Sequence, residues 1–339
     1  INNQNKMLGH VDHPMEGTMV LVTGCNSLIG QTLIKRLIAE RYQVKAIDMW
    51  KDAKLPDEVT FFQGNLLDTD FIDEAISDVD IIFHLMDVED ASYYGRRFMK
   101  KINIKSTENL LRAAAENTIK HFIFLSSGKV YGNPDVMPIK EDDPCKPNTS
   151  YGKDKVKAEK LCRKFAEDGL PVTIIRPTII TGPGVDDAMI LIILYMAMAM
   201  GDSNRLYIAG DGDSRYQLVH PDDVVEALLS IVRNPISIGK VYNIGSDNVP
   251  TQLEQVVKVK EIAQLDCQIK HITPLFTRIL SILLKPLHIH YLRKDHVQFI
   301  LSNFVLDCNK IKEELKWIPK KDNIEIWVET LNWYRKEKL

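Results

Sequence analysis

Met19-Val20-Leu21-Val22, then Thr23-Gly24-Cys25-Asn26-Ser27-Leu28-Ile29-Gly30, then a pattern with Leu33, Ile34, Leu37 and Ile38 on one side: this stretch decides the fold. A short apolar run closed by glycine reads as a buried strand, and the apolar spacing after Gly30 reads as an amphipathic helix. Strand, tight glycine turn and helix form the setting in which backbone N–H groups at a helix N-terminus hold a pyrophosphate. Gly24, Asn26, Ser27, Leu28, Ile29 and Gly30 are therefore the candidate dinucleotide loop. The next apolar run, Val44 to Ile47, ends in Asp48, eighteen residues past Gly30. A carboxylate there accepts hydrogen bonds from an adenosine ribose and repels a 2′-phosphate, which favours NAD over NADP. Lys51 nearby is the feature that speaks for NADP.

Outward from this unit the alternation continues. Strands are expected over Val59–Phe62, Asp80–Leu85, His121–Leu125 and Val172–Ile175, with helices over Phe71–Ser77 and Asn103–Glu116. Strands alternating with helical stretches define an α/β class, a doubly wound parallel (Rossmann) sheet that binds ligands at the strand C-termini. Residues 1–17, polar, read as a mobile tail. Residues 18–182 form the dinucleotide domain, with strand and helix returns from about 214–245, and 183–339 mainly a smaller substrate-binding lobe. A closing helix, about Ile324 to Lys336, is expected to dock on that lobe.

After the strand His121–Leu125 comes Ser126-Ser127-Gly128-Lys129-Val130-Tyr131-Gly132, and later Tyr151-Gly152-Lys153-Asp154-Lys155. On a helix, Tyr151 and Lys155 share one face. A free phenol, with a pKa of about 10, is too weak an acid for proton exchange near neutrality. An ammonium about 4 Å away, at an effective dielectric of about 20, contributes on the order of 4 kcal/mol, roughly three pKa units. Tyr151 is thus expected to be made acidic by Lys155 and to exchange a proton with a substrate hydroxyl or carbonyl.

These motifs together resemble the extended short-chain dehydrogenase/reductase family, the branch with NAD-dependent sugar-nucleotide epimerases and dehydratases. The resemblance runs from about Met19 to Trp333. Thr23, Gly24 and Gly30 meet its Thr-Gly-x-x-Gly-x-x-Gly pattern. Gly64-Asn65-Leu66 falls where the family has a Gly-Asp-Leu that contacts adenine, and His84-Leu85 at the end of its fourth strand. Asn103-Ile104-x-x-Thr107-x-Asn109-Leu110-Leu111 matches the following helix. Arg176-Pro177, Gly182-Pro183, Gly210-Asp211-Gly212, Arg215, His220-Pro221-Asp222-Asp223, Tyr242-Asn243-Ile244-Gly245 and Leu315-Lys316-Trp317-x-Pro319 complete the series. The resemblance implies Ser127, Tyr151 and Lys155 as catalytic residues. It implies cofactor contacts from Asn65, Leu66, Leu85, Met86, Asn103, Tyr151, Lys155 and Pro177 besides the loop and Asp48. It also implies Lys129, Arg215 and Arg293 on the substrate side, and His220 as a structural hydrogen-bonding residue.

Several positions depart from the family pattern. Ser27 replaces the middle loop glycine, so the loop must shift or the hydroxyl must itself bond a phosphate. Met86-Asp87 stands where small residues are usual, and Asp87 beside a pyrophosphate is unfavourable unless turned away. Ile179 replaces an Asn that grips substrate in many sugar-nucleotide enzymes. Gly128-Lys129 lacks the acidic residue that drives elimination in dehydratases and decarboxylases. The first implied function is a nucleotide-sugar C4 epimerase, in which hydride moves to NAD and back with no net redox change. The second is an NAD-dependent dehydrogenase of a lipid-like or sterol-like alcohol, motivated by Ile179 and the apolar stretch Ile272 to Leu292. The third is a non-catalytic NAD-sensing module.

The bulk composition is that of an ordinary globular protein: 339 residues, 45% hydrophobic, 26% charged, net charge −3. Such a balance carries no electrostatic footprint for nucleic acid. Five scattered cysteines without a Cys-x-x-Cys fit a reduced cytoplasm, and Cys25 is read as loop filler. No metal site is expected. The most apolar run, Ala188 to Met200 with its four methionines, spans thirteen residues, too short for a bilayer, so no transmembrane segment is expected. It reads as a buried helix beside the cleft. A homodimer through the helices starting near Asn103 and Tyr151 is expected.

Overall fold

The structure, a computed structural model, describes residues 17–50, 54–89, 91–185, 205–273, 275 and 302–338. The Ala188–Met200 helix, Arg293 and nearly all of the 272–292 stretch lie outside the described residues. In chain order the elements are β1 (Met19–Thr23), α1 (Leu28–Ala39), β2 (Gln43–Asp48), β3 (Thr60–Gln63), α2 (Thr69–Ile76) and β4 (Ile81–His84). Next come α3 (Ala91–Lys100), a π-helical turn Lys101–Ser106, α4 (Thr107–Glu116), β5 (His121–Leu125), α5 (Ser150–Glu167), β6 (Val172–Pro177) and β7 (Ile179–Ile180). The remainder comprises β8 (Arg205–Ala209), β9 (Leu218–Val219), α6 (Pro221–Arg233), β10 (Val241–Ile244), α7 (Gln252–Ile262), β11 (Gln268–Ile272), α8 (Asn309–Leu315) and α9 (Asn323–Lys338).

Seven parallel strands form the main sheet in the order β10-β6-β5-β4-β1-β2-β3. The chain winds outward from β1 in one direction and from β4 in the other, so the crevice between these strands is the topological switch point. Alternation along β1 sends Val20 and Val22 to one face, where they meet Leu33, Ile34 and Leu37 of α1 and Val224, Leu228 and Ile231 of α6. Leu21 points to the other face, against Ile72, Leu110, Leu111 and Ala158 from α2, α4 and α5. Each such fully buried aliphatic contributes about 1.5–3 kcal/mol, so both faces hold the sheet rigid beneath its C-terminal edge.

The expected helix Asn103–Glu116 begins as the π turn and becomes α-helical only at Thr107. A π turn leaves no trace in apolar spacing, which is why the sequence pattern does not separate the two. The C-terminal third does not stand apart from the sheet. Cys308, Ile311, Leu315 and Trp317 belong to the same core cluster as α1 and α6. The closing helix α9 buries Ile326, Trp327 and Leu331 against Tyr216 and Leu218, and the Trp327 indole donates to Gln255 Oε1 at 2.9 Å.

Candidate active site

The glycine loop lies between β1 and α1. Gly24 has φ +76°, and a Cβ there would come within 2.8 Å of the Met86 backbone. At Gly30 a Cβ would lie 2.5 Å from the Gly24 carbonyl oxygen, so the helix meets its own loop backbone to backbone. Ser27 is the N-cap of α1: its hydroxyl accepts from Gly30 N at 3.0 Å and donates to Gly24 O at 2.8 Å. The departure from glycine is thus accommodated by capping, and that hydroxyl is spent inside the loop rather than on a phosphate. Leu28 and Ile29 head the helix. Asp48 ends β2, almost buried, and its carboxylate accepts from Asn26 N at 3.0 Å and Met49 N at 2.8 Å. The Cys25 thiol is pushed up to about 12 by burial and by Asp48, which leaves it inert.

A chain of donated hydrogen bonds ties the loop to the end of β4. Met86 N donates to Thr23 Oγ1 at 3.3 Å, and Thr23 Oγ1 and His84 Nδ1 are 2.7 Å apart. His84 Nε2 and Thr107 Oγ1 are 2.9 Å apart, and the Thr107 hydroxyl donates to the Asn103 carbonyl. Since Thr107 spends its proton on that carbonyl, His84 donates from Nε2 and accepts at Nδ1, a neutral imidazole. Burial, with Lys155 nearby, holds its pKa down to about 3. Asn103 clamps the loop that follows, accepting from Val88 N and donating to Val88 O, each at 2.8 Å.

Elsewhere along this edge, Asn65 closes its own turn by accepting from Leu67 N. Leu66 is fully buried, and its carbonyl accepts from Asn109. Leu85 and Met86 are buried at the end of β4, and Pro177 ends β6 in register with Ile244.

The serine pair separates into two roles. Ser126 is buried and donates to Glu159 Oε1 at 2.6 Å. Glu159 in turn holds Arg176 through two bonds, 2.9 Å from Nε and 2.6 Å from Nη2, and Arg176 also donates to Tyr131 Oη. Tyr131 continues to Asn243 at 2.8 Å, so this buried network braces β5, β6, α5 and β10. Ser127 is half-buried at the strand end, and its hydroxyl accepts from Lys129 N.

Tyr151 and Lys155 share one face of α5, with Lys155 Nζ 5.5 Å from the Tyr151 ring centroid. Lys155 is 1% exposed and donates to Leu125 O at 2.7 Å. Helical spacing and the end of β5 therefore bring Ser127, Tyr151 and Lys155 to one edge of the sheet. One element differs from the sequence-based picture. The Asp87 carboxylate accepts from Tyr151 Oη at 2.5 Å and lies 2.8 Å from Lys155 Nζ. Burial together with Asp87 and Glu89 raises the Tyr151 pKa well above that of an ordinary phenol, the reverse of the acidic phenol expected from Lys155 alone. Glu89 forms an ion pair with Lys129, whose ammonium lies 5.6 Å from the Tyr151 ring centroid. In the sequence Asp87 stands out by size and by a charge unfavourable beside a pyrophosphate unless turned away; the structure turns it to Tyr151 and Lys155, a pairing the sequence pattern does not show.

Arg215 lies on an exposed segment bonded to residues 303 and 304. Its amide donates to Asn303 Oδ1, its carbonyl accepts from Phe304 N, and its guanidinium donates to Val249 O at 2.6 Å. The Phe304 ring packs against Gly128, so this segment adjoins the turn that carries Ser127 and Lys129. His220 caps α6, accepting from Asp222 N. Among the described residues no cluster of His, Cys, Asp or Glu could hold a metal ion, and no helix is long and apolar enough to cross a membrane.

A doubly wound sheet with a glycine loop at its switch point, and a Ser, Tyr and Lys set beside it, defines a dinucleotide-dependent enzyme. The model of the NAD dependent epimerase/dehydratase family matches residues 20–245, and the chain belongs to that family. The chain is similar to a UDP-N-acetyl-alpha-D-glucosaminuronate decarboxylase of Bacillus cytotoxicus, at 27% identity over 93% of this chain and 97% of the relative. It is also similar to a UDP-glucose 4-epimerase of Lactobacillus helveticus, at 23% identity over 93% and 97%. Among solved structures it resembles a UDP-glucose 4-epimerase of Thermotoga maritima with UDP-glucose. That likeness has a TM-score of 0.76 and 27% identity, and covers 94% of this chain and 99% of that one. The family is NAD dependent, and NAD is the cofactor of this chain. The residues present fit it: a tight glycine turn in which a Cβ at Gly24 or Gly30 would strike neighbouring backbone, a capped helix N-terminus, and an almost buried carboxylate, Asp48, at the end of β2.

Proposed function

We propose that this chain is an NAD-dependent nucleotide-sugar epimerase that inverts C4 of the sugar without net redox change. The observation that carries the proposal is the convergence of Ser127, Tyr151 and Lys155 on the switch-point edge beside the glycine loop. Bound NAD supplies the acceptor and donor of hydride. The loop Gly24–Gly30 holds the pyrophosphate, Asp48 the adenosine ribose, and Asn65, Leu66, Leu85, Met86, Asn103 and Pro177 line the remainder. The Ser127 hydroxyl orients the reacting sugar oxygen, and Tyr151 exchanges a proton with it at Oη. Used in the opposite sense on a turned sugar, the same proton transfer completes inversion. Arg215 suits the nucleotide diphosphate because its planar fork bonds two phosphate oxygens at once, and Lys129 reaches the sugar.

Calorimetric titration with UDP-, GDP- and dTDP-sugars is expected to reveal one that binds and is interconverted with its C4 epimer. A Tyr151→Phe variant is expected to bind it but lose turnover by at least about a hundredfold. Absence of binding by every sugar nucleotide would overturn the proposal. Full activity retained in Tyr151→Phe would remove Tyr151 from the acid/base role, whereas NAD binding with no turnover of any sugar or alcohol would leave a non-catalytic NAD-binding role. Ile179, in the short strand β7, favours the second assignment, a dehydrogenase of a lipid-like alcohol; that enzyme accumulates NADH with its substrate, whereas the epimerase does not.

The proposal includes a homodimer built on α4 and α5, which pack side by side, and a cytoplasmic setting in keeping with the free cysteines at 25, 145, 162, 267 and 308. Sedimentation equilibrium checks the first.

A further inference from the structure

Asp87 is the feature that the epimerase chemistry leaves unused. Its two neighbours are both pinned: Met86 N is held by Thr23 Oγ1, and Val88 is held at N and O by the Asn103 amide. The carboxylate between them is therefore placed by the backbone. It receives the Tyr151 hydroxyl at 2.5 Å and faces Lys155 Nζ at 2.8 Å, although its own side chain is 27% exposed.

We propose that Asp87 is a positioning residue for the catalytic pair. It orients the Tyr151 hydroxyl as a hydrogen-bond donor toward itself, and it competes with the dinucleotide for Lys155. The inference rests on the assignment of Tyr151 and Lys155 above and adds a third member that neutralises their charge.

The groups around Tyr151 support this. From the loop after β4 come Asp87 and Glu89; from the turn after β5 comes Lys129, already paired with Glu89. From its own helix comes Lys155. Arg96 of α3 is taken up by Asp154, and His84 beneath is neutral. Glu89, although paired with Lys129, acts on the phenol in the same sense as Asp87 but less strongly, and Asp87 is the carboxylate that both accepts from the phenol and faces Lys155. With Asp87 in place the phenol is held protonated. Lys155 donates to Leu125 O and is ion-paired with Asp87, so a ligand that draws on the ammonium must compete with that carboxylate.

The test uses the full chain freed of dinucleotide. The alkaline ultraviolet titration of Tyr151, isolated by subtracting the Tyr151→Phe protein, is compared between wild type, Asp87→Asn and Asp87→Ala. The alanine variant removes every hydrogen-bonding group, so it guards against an asparagine amide that re-forms the Tyr151 bond. Both variants are expected to lower the midpoint by about one to three pH units, and to tighten NAD binding severalfold by calorimetry. An unchanged or raised midpoint in both variants, or unchanged or weaker NAD binding, overturns the inference. The titration needs neither sugar nor dinucleotide. A protein that binds no nucleotide sugar but shows the shifted midpoint keeps this inference and loses the substrate assignment.

Discussion

At the scale of single residues, two adjacent serines do different work because one is buried in a hydrogen-bonded network and the other is half-buried at the strand end. Ser126 turns inward to Glu159, whose other partner is the 1% exposed Arg176. Ser127 turns outward, half-buried, beside Tyr151's helix. Ser126→Ala is expected to cost about 1–3 kcal/mol of stability, since it strips a donor from a buried carboxylate. Ser127→Ala should leave the denaturation midpoint in place while slowing turnover about a hundredfold, the scale for loss of one donor at a reacting oxygen. Urea unfolding and steady-state rates on the two variants separate the effects, and a stability loss shared equally by both would contradict the division. The sequence marked the pair but not the division, because only the third dimension brings Glu159, thirty-three positions later, beneath Ser126.

At the scale of elements, the strand ends are tied by neutral buried imidazoles. His84 joins β1, β4 and α4, while His121 on β5 bonds Thr173 on β6 at 2.8 Å. Thr173 donates onward to Ser237 O, so His121 donates from Nε2. Burial holds these imidazoles down to about 3 for His84 and about 4 for His121, below the usual value of about 6.5. As pH falls below that value, the unfolded chain takes up protons that the folded one refuses. The stability these residues contribute is thus complete above pH 6.5 and is lost toward their folded values, by up to about 1.4 kcal/mol per pH unit for each. His121→Gln keeps an amide N–H for Thr173 and cannot titrate. Its stability, followed by urea unfolding between pH 7 and 4.5, is expected to fall less steeply than wild type by about that slope; parallel curves would refute the assignment. The strands themselves were plain in the sequence: apolar runs over 44–47, 121–125 and 172–175 all appear, each within two residues of its expected ends. The π turn and the clamp of Asn103 on Val88 were not, since neither has a periodic signature.

At the scale of the whole molecule, two motifs far apart in the chain explain each other only when folded. Asp223, on α6, accepts the amides of Lys320 and Lys321, and its carbonyl accepts the Trp317 indole at 3.0 Å. The Leu315-Lys316-Trp317 segment thereby fastens the C-terminal third onto the helix that backs the sheet, with Leu315 and Trp317 in the shared core. Between these anchors Lys316 ends α8 in the left-handed region, at φ +57° and ψ +22°. An L side chain there costs about 1–2 kcal/mol, and glycine, the residue usual at this helix position, does not incur that cost. The Lys316 ammonium regains part of it by donating to Glu313 O at 2.9 Å, an exposed bond of small worth. Glycine also loses more chain entropy on folding, which offsets some of the gain. Lys316→Gly is therefore expected to raise stability by about 0.5–1 kcal/mol. Because the segment is locked into the core on both sides, that gain should appear as a later global unfolding transition in calorimetry, with catalytic rates unchanged. If only local hydrogen-exchange protection near residue 316 rose while the global transition stayed put, the C-terminal third would unfold independently of the sheet, and the shared core would not unite them.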